Sequence, residues 1–472
     1  MERITIREAA REIPVRWETD VVVCGGGPAG VAAALAAARA GKRVVLVEAS
    51  GFLGGAVTNA GINGIGGWQH DLDGRPLITG IAQELIVEIS RESGSDMEAV
   101  NHTFAHRHRK PTYREGGLGC YWLNINPDMM KIVLERKLCA TGVKLLYHCS
   151  AVYPIMEKDA IRGIYIESKS GREAILAQIV IDCTGDGDIA CRAGADFQIG
   201  DPETGLCQPG SLLFTAARAD VPPLNYSLGA EDESHLPVLE RNRYEQAIQL
   251  ARARGEIREN PNELFCAATP LHPSDPSIRS VNFTRLQGLD ATDVESRTAA
   301  EISGRKQVLE ALAFMRKYIR GCENAYLVYI QPQAGVRESR RIRGDYILTK
   351  EDVLSGTRFD DCICRGIYLL DIHNADGVGK STLHMLDQPY DIPYRSLLPC
   401  GVENLLVAGR CLSGDHTALA SYRIISHCLQ TGQAAGTAAA EALDAQTSVR
   451  NISRTNLKRR LEKAGCNLGT GL

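Results

Sequence analysis

The sequence predicts an α/β fold built around a parallel β-sheet, and three neighbouring stretches predict it. Asp20-Val-Val-Val-Cys24 is a short, β-branched apolar run, the pattern of a strand buried on both faces. Gly25-Gly26-Gly27-Pro28-Ala29-Gly30 follows directly with G-x-G-x-x-G spacing and opens the alanine-rich residues 31–40, strong helix formers. Arg43-Val-Val-Leu-Val-Glu48 is a second apolar run that ends in an acid. Strand, glycine turn, helix and strand within about 30 residues make a Rossmann-like βαβ unit.

Each residue of the turn has a physical task. Gly25 allows the tight turn, Gly27 lets the backbone approach a pyrophosphate, and Gly30 lets helix and strand pack closely. Pro28 presets the first helical turn and Gly41 stops the helix. The helix start, with Ala29 and Gly30, offers unpaired N–H groups and partial positive charge to phosphates. Glu48, beside Ala49, stands where a carboxylate accepts hydrogen bonds from ribose hydroxyls.

Composition narrows the class. The chain has 472 residues, 44% hydrophobic and 23% charged, which excludes disordered, collagen-like and coiled-coil chains. A formal net charge of −4 leaves no basic excess for a nucleic-acid backbone. The 15 cysteines are odd in number and lack C-x-x-C spacing, so reduced thiols and a cytoplasmic location are expected. Residues 1–17 carry Arg and Glu and no apolar core, unlike a secretory signal. The uncharged residues 21–38 just reach spanning length, but their glycines and proline fit the βαβ unit, and no membrane span is expected.

Two later features favour the longer FAD over NAD as the dinucleotide. Gly54-Gly55 follow the second strand closely, as suits a ligand that continues past the ribose. Ile179-Val-Ile-Asp-Cys-Thr-Gly-Asp-Gly-Asp188 is a strand running into an acidic glycine turn, so Thr184, Gly185 and Asp186 are candidates for a second contact. Elsewhere, helices are expected over about residues 80–91, 126–140, 292–318 and 455–464, and along the small-residue stretch from Gln430. Strands are expected over 144–148, 325–331, 342–348 and 367–370.

With residues 20–30, Glu48, Gly54-Gly55, 181–188, Gly335-Val-Arg-Glu-Ser-Arg-Arg-Ile-Arg-Gly344, 390–398 and 404–436, the chain resembles the FAD-dependent oxidoreductases. It is distantly similar to the flavoprotein subunits of succinate dehydrogenase and fumarate reductase. The resemblance implies a discontinuous FAD-binding domain over 18–67, 124–200 and 397–444. It implies an insertion over 68–123, an α+β substrate or cap domain over 201–396 and a helical tail over 445–472. By the same resemblance the backbone near Val152 meets the adenine, and Gly409, Arg410, Ile424 and Ile425 join the cofactor site. Residues 412–425 face the isoalloxazine ring. The respiratory relatives can hold flavin through a histidine just after the second strand, and residues 55–61 contain none, so FAD is expected to be non-covalent.

A flavin performs the redox step, so the protein must supply orientation, charge and proton transfer. His416, in Gly-Asp-His-Thr of the ring-facing stretch, is a candidate acid–base, with a backbone-bonded loop histidine as the alternative. His373, closing Asp371-Ile-His at the end of an apolar strand, is a second. Arg337, Arg340, Arg341 and Arg343 form a cationic run; Arg341 is the candidate for a substrate carboxylate, the alternative for all four is salt bridges to groups such as Glu338 and Asp345, and at least two of them are expected to be structural. Arg423, Tyr394 and Arg395 complete the polar set. Gly379-Lys380-Ser381 lacks the earlier glycine of a P-loop, and His102, His106 and His108 sit in a basic stretch without an acid, so no metal is expected. Cys362 and Cys364 are too few for an iron–sulfur cluster.

The expected function is FAD-dependent hydride transfer between flavin N5 and a small polar organic molecule, a carboxylate or polyol. The alternatives are a non-redox flavin isomerase or dehydratase, an electron-transfer component docking with a partner protein, and a plain NAD-dependent dehydrogenase. A homodimer is the base-rate expectation, and the electron acceptor is not encoded in any motif.

Overall fold

The computed structural model describes residues 5–6, 9–67, 70–71, 73–97, 100, 123–220, 237–262, 266–272, 275–375 and 381–469. Residues 101–122 of the 68–123 insertion, with His102, His106 and His108, lie outside them, as do Pro222-Pro223 and Gly379-Lys380. The predicted unit is strand β1 (Val15–Cys24), helix α1 (Pro28–Arg39) and strand β2 (Val44–Val47). β1 and β2 are parallel, with Val21 opposite Val44 and Cys24 opposite Val47. The uncharged stretch is therefore a strand, a turn and a helix. No helix among the described residues is long and apolar enough to cross a membrane.

Helix α2 (Ile81–Glu92) follows, then α3 (Pro127–Ala140), whose N-cap Asn126 accepts from the Asp128 and Met129 N–H groups. Strand β3 (Lys144–Leu146) extends the sheet beyond β2. Strands β4 (Ser150–Glu157), β5 (Ala160–Ser168) and β6 (Gly171–Asp182) form an antiparallel meander. β6 is long enough to serve two partners on one side. Its first half pairs with β5, and its Val180–Asp182 end pairs in parallel with a strand from far along the chain, Leu405–Val407. Its other side pairs in parallel with β1. The main sheet thus gathers residues 15–47, 144–182 and 405–407, and all its parallel strands end at one edge.

A second, antiparallel sheet contains β7 (Phe214–Ala217), β8 (Cys266–His272), β9 (Asp275–Asn282) and β10 (Tyr326–Ile330) in the order β8-β9-β7-β10. Helix α4 (Val294–Tyr318), capped by the Asp293 side chain, covers it through a separate core that includes Phe214, Phe283 and Phe314. Strand β11 (Leu370–His373), strand β12 (Leu405–Val407), helix α5 (His416–Tyr422) and helix α6 (Ile425–Asp444) lead toward the C-terminus. Arg454–Lys463 is the tail helix.

Two expected strands are redrawn. Of residues 342–348, only Arg341–Ile342 joins a ladder, opposite Gln198 and Phe197. Gly344 lies where a Cβ would meet the Arg395 carbonyl at 3.0 Å, and the segment is tied by single bonds to Cys411, Asp196, Leu398 and Ser413. The strand expected at 367–370 begins at Leu370, because residues 367–369 carry the chain from the Cys362–Gly366 strand to β11.

Helix α6 packs lengthwise on α1 through two glycines. A Cβ at Gly432 would sit 2.0 Å from the Ala29 carbonyl oxygen, and one at Gly436 would sit 2.1 Å from that of Ala33. Ala29 through Ala37 are all buried. Small residues thus let two helix backbones touch directly beneath the glycine turn that precedes α1. None of the thirteen cysteines whose side chains are described forms a disulfide. Burial raises the Cys362 and Cys364 thiols well above their usual range, as for packed side chains.

Candidate functional site

The parallel strands deliver three loops to one place. Gly25 has φ +97°, and a Cβ on Gly30 would meet the Gly25 carbonyl oxygen at 1.8 Å. A side chain at either position is incompatible with the turn. Gly54 donates to the Gly26 carbonyl at 2.9 Å, and a Cβ on Gly55 would lie 2.8 Å from Gly27 Cα. A Cβ on Gly409 would lie 2.9 Å from Ala29 Cβ. At Gly27, by contrast, a Cβ would meet only Gly55 Cα, at 3.8 Å. Helix α1 starts with Gly27 as an uncapped N-cap, Pro28 next, and no acid in its first turn. The result is a glycine-lined concavity over free helix N–H groups, which fits a pyrophosphate.

The flanking groups fit the rest of a dinucleotide. Glu48 accepts from the Gly26 N–H at 2.6 Å and the Ser50 N–H at 2.7 Å, so its carboxylate borders the turn. Ala49 beside it is exposed. Cys149 donates to the Glu48 carbonyl, which brings β4 and Val152 alongside. On the other flank, Asp182 is fully buried and its carboxylate accepts from Thr184, Ile189 and Ala190. The acid at the strand end thus shapes the Thr184-Gly185-Asp186 turn from within. Arg410 then clamps the turn, donating to the Gly185 carbonyl at 2.9 Å and pairing with Asp186 at 2.5 Å. Ile424 is the N-cap of α6 and carries no capping side chain, with Ile425 buried behind it. A second free helix start therefore faces the same region.

All four candidate catalytic residues fall on one hydrogen-bonded chain. His416 Nδ1 lies 2.9 Å from Glu338 Oε1, a fully enclosed carboxylate. Arg341, 3% exposed, pairs with the same carboxylate and donates to the Gly414 and Gly200 carbonyls. Its guanidinium holds backbone together rather than facing outward. Glu338 Oε2 accepts from the Gln208 N–H, and Gln208 Oε1 accepts from the His373 N–H at 3.2 Å. His373 Nε2 lies 3.2 Å from Asp371 Oδ2, and Arg423 lies 3.5 Å from the same oxygen. Arg423 also donates to the Asp371 carbonyl at 2.9 Å. Arg337 donates to Pro209 and Ser211, and Arg340 pairs with Asp188. Arg395 pairs with Asp361, and Tyr394 is buried and donates to the Val449 carbonyl. Gln208 was named by no sequence reading, whereas Glu338 entered only as a salt-bridge partner and Asp371 only as part of the strand end at His373.

The electrostatics separate the partners. Burial and the nearby Arg337 push His373 down to about 4, against the pull of Asp371, so the imidazole is neutral at pH 7. Burial works against the Asp371 charge, but His373, Arg423 and Arg337 outweigh it and hold the carboxyl below its usual range. An ionised Asp371 fixes the Nε2–H tautomer and puts the imidazole lone pair on Nδ1. His427, on the first turn of α6, is fully buried with neither ring nitrogen hydrogen-bonded, and burial pushes it down to about 3.

Both histidines make stability depend on pH. The unfolded chain takes up their protons near pH 6.5 while the native state refuses them, so stability is expected to fall as pH drops from 6.5 toward 4. The gap between melting temperatures at pH 7 and pH 5 should narrow in His427→Leu. A gap unchanged from wild type would show that His427 is not the neutral buried group described.

Comparison with known proteins agrees with this geometry. The family described as FAD dependent oxidoreductase matches residues 20–461, most of the chain. A soluble pyridine nucleotide transhydrogenase from Marinomonas sp. is 60% identical over 42 residues, 9% of each chain. A digeranylgeranylglycerophospholipid reductase from Methanoculleus marisnigri is 28% identical over 226 residues, 45% of this chain and 50% of that one. The match therefore spans at most half the length of these curated relatives. Among solved structures, a geranylgeranyl bacteriochlorophyll reductase-like protein from Thermoplasma acidophilum aligns over 95% of this chain and 82% of its own, with 13% identity and a TM-score of 0.43. The two curated relatives are a transhydrogenase and a reductase, neither of them a succinate dehydrogenase subunit. With the family match across most of its length and a glycine cradle that fits the dinucleotide, the chain belongs to the FAD-dependent oxidoreductases, enzymes with FAD as cofactor.

Proposed function

We propose that this enzyme moves a hydride between non-covalently held FAD and a small polar organic substrate, with the His373–Asp371 pair handling the accompanying proton. One observation carries the reading. Arg423 immediately precedes the free N-terminus of α6, and it grips Asp371, the residue that orients His373. A residue of the ring-facing stretch is thereby joined to the acid–base candidate of β11.

Gly25, Gly27, Gly30, Gly54, Gly55 and Gly409 would surround the pyrophosphate, Glu48 the ribose, and the α6 N-terminus with Ile424 and Ile425 the ring. FAD bound there supplies hydride exchange at N5. His373 Nδ1 accepts or returns the substrate proton. Asp371 and Arg423 keep the imidazole in one tautomer and one orientation. Arg341 and His416, through Glu338, fix the Gly200 and Gly414 backbones behind them.

The first test is the visible spectrum of the purified protein before and after acid precipitation. A flavin spectrum that moves to the supernatant is expected, because residues 55–61 offer no histidine to the ring. Anaerobic addition of polar metabolite classes should then bleach it with one class. A colourless protein that FAD cannot reconstitute would overturn the proposal.

A further inference from the structure

We infer that the His373 end of the network is a carboxylate-binding subsite, so that the substrate is a small organic acid recognised by Gln208 and Arg423. This rests on the proposed placement of the substrate beside β11. Gln208 is 2% exposed, and its Nε2 is buried without a hydrogen-bond partner. The orientation of its amide is not arbitrary. The His373 backbone N–H can only donate, so the Gln208 oxygen must face it and the NH2 group must point elsewhere in the site. Leaving two such donors unmet in the interior is costly.

Arg423 repeats the feature two residues along the same strand, at Asp371. Its Nη2 is satisfied by Asp371, while its Nε is buried with no partner. Both residues are tied to the same short strand, Gln208 to His373 and Arg423 to Asp371. Both offer donors and no acceptor there. The ligand that meets them must therefore bring acceptor oxygens. Arg337 adds positive potential that is felt at both His373 and Asp371. The acid on this strand, Asp371, is already engaged by His373 and Arg423. A ligand with a neutral acceptor meets the hydrogen bonds but not that potential; a carboxylate meets both, and its two oxygens match two donors.

The experiment uses the FAD-loaded protein and pairs of carboxylates with their amides: acetate, malonate, succinate and benzoate against acetamide, malonamide, succinamide and benzamide. Binding is read by the perturbation of the flavin absorbance and by calorimetry at constant ionic strength. At least one carboxylate should bind saturably and at least tenfold more tightly than its amide. Gln208→Glu, which keeps shape and the acceptor for His373 but places a negative charge in the subsite, should weaken that binding at least tenfold. Arg423→Gln should do the same. Melting temperature and FAD content confirm that each variant is folded. Equal affinity for acid and amide would overturn the inference, as would folded variants that bind the acid like wild type. A yellow protein that binds none of the acids overturns the subsite and leaves the flavoenzyme reading standing. A colourless protein overturns that reading instead, and calorimetry on it still decides the subsite.

Discussion

Gly432→Ala is expected to give a protein that unfolds at lower temperature and purifies largely without FAD. The added methyl would sit 2.0 Å from the Ala29 carbonyl oxygen and 2.7 Å from Ala29 Cα, with backbone rather than a flexible side chain in the way. Either α1 or α6 must move. Both are buried between the main sheet and the neighbouring helices, so overpacking of this kind costs about 1–3 kcal/mol. The displacement has a functional consequence as well. Ala29 belongs to the first turn of α1, and Gly27 to Gly30 set the positions of the N–H groups proposed to meet the phosphates. Affinity for FAD should drop at least tenfold, read as the ratio of flavin to protein absorbance after gel filtration and by titration of FAD into the apoprotein. Gly401→Ala is the control. Gly401, unlike Gly432, has nothing within 4 Å of a new Cβ, but its φ is +73°, so it should lose about 1 kcal/mol through strain and stay yellow. Full FAD content and an unchanged melting temperature in Gly432→Ala would show that the helix contact does not support the cofactor site.

The parts of the fold that were legible in the sequence were those encoded locally. Gly25, Gly30 and Gly41 punctuate a strand, a turn and a helix within one short stretch, and each does what its position requires. Asn126-Pro127 announces its helix by a side chain that accepts two bonds within three residues. The small-residue stretch that begins at Gln430 predicted a helix, and Gly432 and Gly436 let that helix pack closely. Boundaries failed where the pattern was apolar but the partner was not a strand. Residues 342–348 are pinned by separate backbone bonds to three other segments, which no periodicity in the segment itself records.

The candidate site was legible as residue types and not as connections. His373, His416, Arg341 and Arg423 stood out singly because histidine and arginine carry chemistry. What joins them are pairings across long loops: Glu338 to His416 over 78 positions, Gln208 to His373 over 165. Gln208 has no sequence signature at all; its importance comes from burial and from what its oxygen faces. Asp182 shows the converse. Its acidic glycine turn suggested contact with a ligand, and the carboxylate instead turns inward and organises the turn that Arg410 clamps.

Asp371→Asn should slow reduction of the flavin by the substrate found in the anaerobic screen by about 10²–10⁴-fold, the usual contribution of a positioned acid–base group. The variant keeps the shape of the side chain and removes its charge. Without that charge nothing selects the Nε2–H tautomer of His373, and the Arg423 and Arg337 guanidinium groups act on the imidazole unopposed. Asp371 acts through His373, so it is a positioning residue, and its loss should appear in the limiting rate of flavin reduction with little change in FAD content. Stopped-flow measurement across pH gives the distinguishing signature. The residual rate of the variant should depend on pH differently from wild type, because the remaining cations push the imidazole still further below its ordinary value. Asp371→Glu, which restores the charge, should recover part of the rate, whereas a merely structural role would leave the charge-restored and neutral variants alike. Wild-type rates in Asp371→Asn would remove the His373–Asp371 pair from the reaction and return the proton-transfer role to His416, the other imidazole on the same chain of hydrogen bonds.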